Sequence, residues 1–375
     1  MIKIMFTGGG TGGHVFPIVA IIREIRKLQP DQEVKFYYIG PNQDLVKLLL
    51  PQQGVEVKTI ISGKIRRYWT PESIFKNLID ILFKIPVGFI QAFFYVLITS
   101  PDLILTKGGT GSVPVVWWGW LFWTPIVVHE SDMAPGLSNK IASHFATEVF
   151  VSFPETEYFS PKKMIWVGNP VRTRLLSGSR EKAREAFQLT QEKPVILVLG
   201  GSQGAQRIND LILSVLPQYL EKFEIIHQTG KRNLKGVKQE ARVMASREQL
   251  KRYHPRDFLS ETKLQHAYKA AELIISRAGA GVIFEVTALG KPAIFIPLPE
   301  SAQDHQYKNA NWVAEKDAGM VIEERNVTPH FLLERVKFLF THPSQRRQLS
   351  NNAERFSKPR AGKTIAEYII AYLKQ

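Results

Sequence analysis

The residues best suited to chemistry stand near the start of the chain, where GGGTGGH puts five glycines within Gly8–Gly13 and a histidine directly behind them. Histidine titrates near neutrality, so His14 suits a general base toward a hydroxyl or a donor to a diphosphate. The glycines bare the backbone, and a helix expected to begin near Pro17 would add its N-terminal amides, a combination that attracts anions. An isolated run of this kind also fits a tight turn with close helix packing, with His14 as a solvated loop residue. Gly8, Gly10 and Gly13 satisfy G-x-G-x-x-G, yet the acid that would hold a dinucleotide ribose is missing: FYYIG ends at Gly40 and the nearest acid is Asp44. The lysine of a G-x-x-x-x-G-K-[ST] phosphate loop is missing too.

A second set lies in the other half of the chain. GGSQGA, 200–205, follows an apolar run as GGGTGGH does, and SRAGAGVIFE, Ser276 to Glu285, again frees amides where a helix should open. Glu285 is placed either to accept both hydroxyls of a ribose or to stand as a solvated helix carboxylate. PLPESAQDHQYKNA offers Asp304, His305, Gln306 and Asn309, side chains suited to sugar hydroxyls or to helix capping with Asp304 as the N-cap. Neither D-x-D nor H-E-x-x-H occurs, so a metal is not indicated, and G-x-S-x-G is absent.

The elements that must position these residues alternate along the chain. IKIMFT, VKFYYIG, VEVKTI, DLILT, PIVVH and TEVFVS read as nearly continuous apolar strands separated by helical spacing. The pattern restarts with PVILVLGG, FEIIHQ, AELIIS, PAIFIP and GMVIEE. This predicts an α/β fold of parallel sheets covered by helices on both faces, with each glycine turn at the carboxyl end of a strand. At 375 residues the chain exceeds the size of one core, which predicts two domains, 1–165 and 166–375, with the helical tail from Pro343 packing back across the first.

The chain has no cysteine, which excludes disulfides and thiolate chemistry and fits a reducing cytoplasm. MIKIMF runs straight into the glycines as a buried strand would, not as a signal peptide. The net charge of +15 points to an anionic partner: nucleic acid, a membrane surface or a phosphorylated substrate. Two uncharged stretches, Ile85 to Pro101 and Gly108 to Val128, are respectively too short and too interrupted by Pro114 and Pro125 to read as spanning helices. Between them and the strands, PESIFKNLIDILFKI puts Lys76, Asn77, Asp80 and Lys84 on one helical stripe and leaves a wide apolar face, for interfacial docking or for packing on a sheet. Lys64, Arg66 and Arg67 precede it, each worth about 1 kcal/mol at an anionic leaflet.

Together GGGTGGHVFP, KGGTGSVP, HESDMAPGLSNK, GNPVR, GGSQGA, SRAGAGVIFE and DHQYKNA, in this order between residues 8 and 310, resemble the MurG family of peripheral membrane N-acetylglucosaminyltransferases. The resemblance implies a GT-B glycosyltransferase fold, two Rossmann-like domains, and inverting, metal-independent transfer from UDP-N-acetylglucosamine to the muramoyl 4-hydroxyl of lipid I, forming lipid II of peptidoglycan. No cofactor is implied. It assigns the acceptor diphosphate to Gly9, Gly10, Thr11, Gly12 and Gly13, with Gly108, Gly109, Glu130 and Asp132 nearby and His14 at the reaction centre. It assigns the donor to Arg172, Ser202, Gln203, Gly204, Leu259 (uracil), Arg277, Ala280, Glu285 (ribose), His305 and Gln306, with Thr11, Gly12 and Gly13 also within reach of it. The partners implied are UDP-N-acetylglucosamine, lipid I and an anionic membrane surface on the cytoplasmic side, with no nucleic acid.

Two motifs depart from the family pattern. HESD puts Asp132 where many members have the asparagine of HEQN, which removes an amide donor and adds charge, and GGTGSVP lacks the tyrosine of GGYVSGP. A diacylglycerol glycosyltransferase, a UDP-N-acetylglucosamine epimerase and a basic nucleic-acid binder are the rival readings; the last explains neither glycine turn.

Overall fold

A computed structural model describes residues 1–63, 70–154, 156–190, 192–201 and 204–374. Lys64, Arg66, Arg67, Ser202 and Gln203 lie outside the described residues. The chain divides into two compact units, Met1–Val171 with Lys358–Gln375, and Arg172–Ser357.

The first unit is built on a parallel sheet of β1 (Ile2–Thr7), β2 (Val34–Pro41), β3 (Val55–Ile60), β4 (Leu103–Thr106), β5 (Ile126–Glu130), β6 (Glu148–Val151) and β7 (Met164–Trp166), ordered β3-β2-β1-β4-β5-β6-β7. The second holds β8 (Val195–Leu199), β9 (Glu224–Gln228), β10 (Tyr253–Arg256), β11 (Leu273–Ser276), β12 (Ala293–Phe295) and β13 (Met320–Val321), ordered β10-β9-β8-β11-β12-β13. Every pairing is parallel. Strand order reverses beside β1 in one sheet and beside β8 in the other, and ligands of open α/β sheets bind at such switch points. Both glycine turns stand there.

The strands β7 and β10 are the two that the apolar pattern does not signal. Both are edge strands; β7 is only partly buried, while β10 is buried but its YHPR carries polar side chains and Pro255, which an edge tolerates.

In the first unit, the helix Gly12–Leu28 lays Ile18, Ile21, Ile22 and Ile25 on the sheet, and the terminal helix Ala361–Leu373 returns Ile365, Ala366 and Ile369 to the same core. This opening helix begins at Gly12, not near Pro17 as the proline suggests. Pro17 is inside it, tolerated one turn in, so the second glycine pair and His14 already lie in the first helical turn.

Pro71–Thr99 forms one helix of 29 residues, interrupted only by a π-turn at Asp80–Lys84. The turn directly precedes Pro86, whose ring and missing N–H would otherwise conflict with a regular α-turn. The segments judged separately in the sequence are therefore continuous, and by length and composition the joined helix suffices to cross a membrane, with a mean hydropathy of 2.0 over its most apolar 18 residues. Gly88, Ala92 and Val96 bury one side of it, while Phe75, Leu82, Phe83 and Ile90 are exposed. Asp80 does not belong to a solvated stripe: it is 1% exposed and paired with Lys84 at 2.6 Å.

Candidate functional site

In the first unit the loops after β1 and β4 meet back to back. A Cβ on Gly109, whose φ is +89°, would lie 2.7 Å from the Gly9 amide nitrogen and 3.4 Å from His14 Nε2, so only glycine permits this approach. The Tyr38 hydroxyl donates to the Gly8 carbonyl at 2.7 Å and fixes the turn from the neighbouring strand. Thr11 occupies the N-cap of the opening helix, yet its side chain does not cap it. Instead Thr11 Oγ1 lies 2.7 Å from His14 Nδ1. With Nδ1 donating to Thr11, Nε2 is the nitrogen able to accept a proton, on the side facing Gly109. The uncapped helix start presents the Gly12 and Gly13 amides with the positive end of the helix behind them.

Beside this turn is a buried cluster that the sequence motifs only partly indicate. Lys107, next to Gly108 and 3% exposed, reaches His129 Nδ1 and Ser131 Oγ, the latter at 2.6 Å. Its pKa is lowered to about 7 by burial, which Glu130 and Asp132 oppose. His129 is held neutral by burial and by Lys107, and its Nε2 meets the Gly168 carbonyl at 3.1 Å, so its Nδ1 accepts from the lysine. Glu130 accepts from the Asp132 amide at 2.9 Å and from Asn139 Nδ2 at 2.8 Å, yet burial, with Asp132 adding to it, pushes its pKa up to about 7. Ser131 Oγ donates to Asn169 Oδ1 at 3.0 Å, tying this cluster to the GNP segment. Lys107 and His129 open the KGGTGSVP and HESDMAPGLSNK motifs, yet the sequence assigns them no role, because their pairing joins two motifs 22 residues apart.

In the second unit the loop after β8 is seated by Gly204, φ +84°, whose Cβ would fall 2.4 Å from the Thr229 carbonyl. Gln228 bridges the Gly201 carbonyl and the Leu259 amide at 2.9 Å each, so Leu259, 1% exposed, has its N–H engaged before any ligand arrives. The helix Ala280–Ala288 starts at Gly279 without a side-chain cap, and Cβ atoms on Gly279 or Gly281 would meet nothing within 4 Å, leaving its first amides an open approach. Asn309 Nδ2 donates to the Ala278 carbonyl at 3.2 Å and orders that start.

Glu285 is neither solvated nor alone. It is 7% exposed, accepting from Arg172 Nη2 at 2.8 Å and from the Tyr268 hydroxyl at 2.9 Å. Burial works against the charge of Arg172, but Glu285 outweighs it and raises the guanidinium's pKa. Arg172 therefore directs its charge at Glu285. Arg277 donates to the Ile296 carbonyl at 3.3 Å and pairs with Glu324, which also pairs with Arg207. Asp304 occupies the N-cap position of the helix His305–Glu315 without capping it. Gln303 and Asp304 both adopt positive φ, +56° and +55°, a strained turn that presents His305 and Gln306. His305 Nδ1 meets the Ala302 carbonyl at 2.7 Å, and Gln306 Oε1 accepts from the Leu298 amide at 3.1 Å. Among the described residues no group of three or more histidine, aspartate or glutamate side chains is placed to hold a metal ion.

Comparison with known proteins follows the same division. Residues 4–151 match the glycosyltransferase family 28 N-terminal domain and residues 195–365 its C-terminal domain. Over 377 residues the chain is 37% identical to an N-acetylmuramyl-(pentapeptide) pyrophosphoryl-undecaprenol N-acetylglucosamine transferase from Bacillus cereus, with 100% of each chain covered. Acinetobacter baumannii MurG shares its fold, with a TM-score of 0.71 and 24% identity, covering 99% of this chain and 100% of that one. A UDP-GlcNAc 2-epimerase from Neisseria meningitidis, crystallised with UDP-GlcNAc, is similar at a TM-score of 0.67 and 14% identity, covering 99% and 100%, a likeness of fold alone.

Proposed function

The chain belongs to the MurG family within glycosyltransferase family 28 and transfers N-acetylglucosamine from UDP-N-acetylglucosamine to lipid I, the polyprenyl-diphosphate-linked muramoyl peptide; from that premise we propose how its residues divide the reaction. The observation that carries the division is the approach of Gly9, Gly109 and His14 Nε2 to one another at an uncapped helix start.

The first unit takes the acceptor. Its diphosphate is bound by the amides from Gly9 to Gly13, and His14, oriented by Thr11, accepts the proton as the muramoyl 4-hydroxyl attacks the anomeric carbon. Glu130 and Asp132, with Lys107 behind them, line the acceptor side. The second unit takes the donor. Amides of the loop that contains Ser202, Gln203 and Gly204, with the helix starting at Gln206, bear the charge of the departing UDP, and no metal is required. Glu285, with two of its about four lone-pair sites taken by Arg172 and Tyr268, keeps acceptor capacity for the ribose. Arg172 serves the donor through Glu285. Leu259 meets the uracil, while Ala280, His305 and Gln306 meet the sugar and Arg277 stands by the diphosphate.

The acceptor's lipid calls for a membrane face, and the exposed side of Pro71–Thr99 supplies it. Phe75, Phe83 and Ile90 are 63%, 65% and 58% exposed, an apolar surface without reason in water. This makes the protein a peripheral one on the cytoplasmic face of the plasma membrane, where lipid I and UDP-sugar meet.

The test is UDP release by purified protein given UDP-N-acetylglucosamine in EDTA, with and without lipid I in phosphatidylglycerol-containing vesicles. Release that requires lipid I, yields a disaccharide lipid and persists in EDTA is expected, with the protein co-sedimenting with vesicles and Phe75→Ser/Phe83→Ser remaining in solution. Release without lipid I, or arrest by EDTA, removes the scheme.

A further inference from the structure

A cavity of about 450 Å³ opens in the first unit at the carboxyl ends of β2 and β3, within the size range of small-ligand sites. Its walls include Asn42, Gln43, Thr59, Ser62, Lys84 and Gln91. Five of these are uncharged, three side-chain amides and two hydroxyls, beside the one ammonium of Lys84, and no carboxylate lines it among the described residues.

Two features show that this space is built into the fold. The first is its attachment to the acceptor loops: the Gln43 side chain covers Gly10, whose Cβ would fall 1.9 Å from Gln43 Cγ, and a Cβ on Gly111 would lie 3.3 Å from both Pro41 Cδ and Ser62 Cβ. The second is the long helix. Lys84, Gly88 and Gln91 follow one another at helical spacing; Gln91 lines the cavity and Lys84 stands at its exposed edge. Gln91 Oε1 accepts from the Ile61 amide at 2.7 Å, and Gly88 admits the Ile61 carbonyl where a Cβ would stand 2.1 Å away. The π-turn brings Asp80 inward to hold Lys84 at the rim, and such turns gather at functional sites.

We propose that this cavity receives the peptide of the acceptor. The inference rests on the reading given above, in which the muramoyl 4-hydroxyl lies at His14 and the diphosphate on the glycine turn. In muramic acid the lactyl ether that bears the peptide is on the carbon next to the one that carries this hydroxyl, so the peptide starts beside the reaction centre. Amide and hydroxyl side chains match the alternating N–H and C=O groups of a peptide, and Lys84 offers a partner for a peptide carboxylate.

The experiment compares kcat/KM for two lipid I analogues, one with the full peptide and one ending at the lactyl group. Asn42→Ala/Thr59→Val removes two hydrogen-bonding groups from exposed or half-buried positions. Asp80→Asn/Lys84→Gln, a second variant, keeps the pair's shape without its charges. Each is expected to lower kcat/KM for the peptide-bearing acceptor by about tenfold, equivalent to about 1.4 kcal/mol in all, while the lactyl acceptor and the KM for UDP-N-acetylglucosamine stay at wild-type values. Equal loss for both acceptors would assign the cavity to the diphosphate or to the lipid and overturn the proposal, as would no loss for either. If wild-type protein glycosylates neither acceptor, the functional reading itself falls, and a wild type that uses both equally well sinks the peptide site alone.

Discussion

The two sheets share one strand order, and each holds a glycine turn at its switch point, yet they surround those turns with opposite electrostatics. Behind the first turn the buried groups are Lys107, His129 and Glu130, whose pKa values burial drives toward or below neutrality for the bases and upward for the acid. Behind the second, Arg172 and Glu285 form a buried ion pair at 2.8 Å, and the Tyr268 phenol, its pKa pushed far up by burial, donates to the same carboxylate. Lys107 and Glu130 can therefore exchange a proton near neutral pH, whereas the Arg172 guanidinium is fixed in its charge; the second unit's own shifted amine, Lys291, lowered to about 8 by burial, is not part of that pair.

The largest expected effect comes from breaking the fixed side. Glu285→Ala leaves Arg172 buried without its carboxylate and should destabilise the second unit by about 3–5 kcal/mol, read as a shift in its urea midpoint; a loss under 1 kcal/mol would mean that the pair does not hold the structure. His14→Ala tests the other side: lipid I-dependent UDP release should fall about 10²-fold or more, while UDP binding by calorimetry is retained. Normal turnover would take His14 out of the mechanism.

The smallest effect sharpens the contrast through pH. Lys107 binds its proton more weakly in the folded chain than in the unfolded one, so between about pH 7 and 10.5 the unfolded state holds the extra proton and stability rises with pH. For Glu130 the folded state holds the extra proton between 4.5 and about 7, so its contribution falls as pH rises through that window. Each slope is at most about 1.4 kcal/mol per pH unit. Lys107→Met should flatten the alkaline rise and Glu130→Gln the acid-side fall, in melting temperatures measured across pH 5 to 10. An unchanged profile in both variants would show that the cluster does not titrate.

The sheets were legible because buried parallel strands are written as continuous apolar runs, and the glycine turns because five glycines in six positions have few other uses. What escaped depends on neighbours far along the chain. Lys107 and His129 are 22 residues apart, and Arg172 and Glu285 are 113 apart, so nothing local marks either pairing. The helix Pro71–Thr99 was read in two pieces because the uncharged stretch stops at Lys84, whereas the backbone runs on through the π-turn. Asp80 looked like a surface charge for the same reason: its partner and its burial are set by the turn, not by helical spacing.

The return of the terminal helix to the first core has a consequence for how the protein is made. Residues 172–357 are one uninterrupted segment that can collapse as soon as it leaves the ribosome, whereas the first unit lacks a wall of its core until Ala361–Leu373 has emerged. Until then the core that Ile365, Ala366 and Ile369 join lacks one of its walls, and a premature stop just beyond residue 357 yields a nascent chain whose second half is complete and whose first is still open.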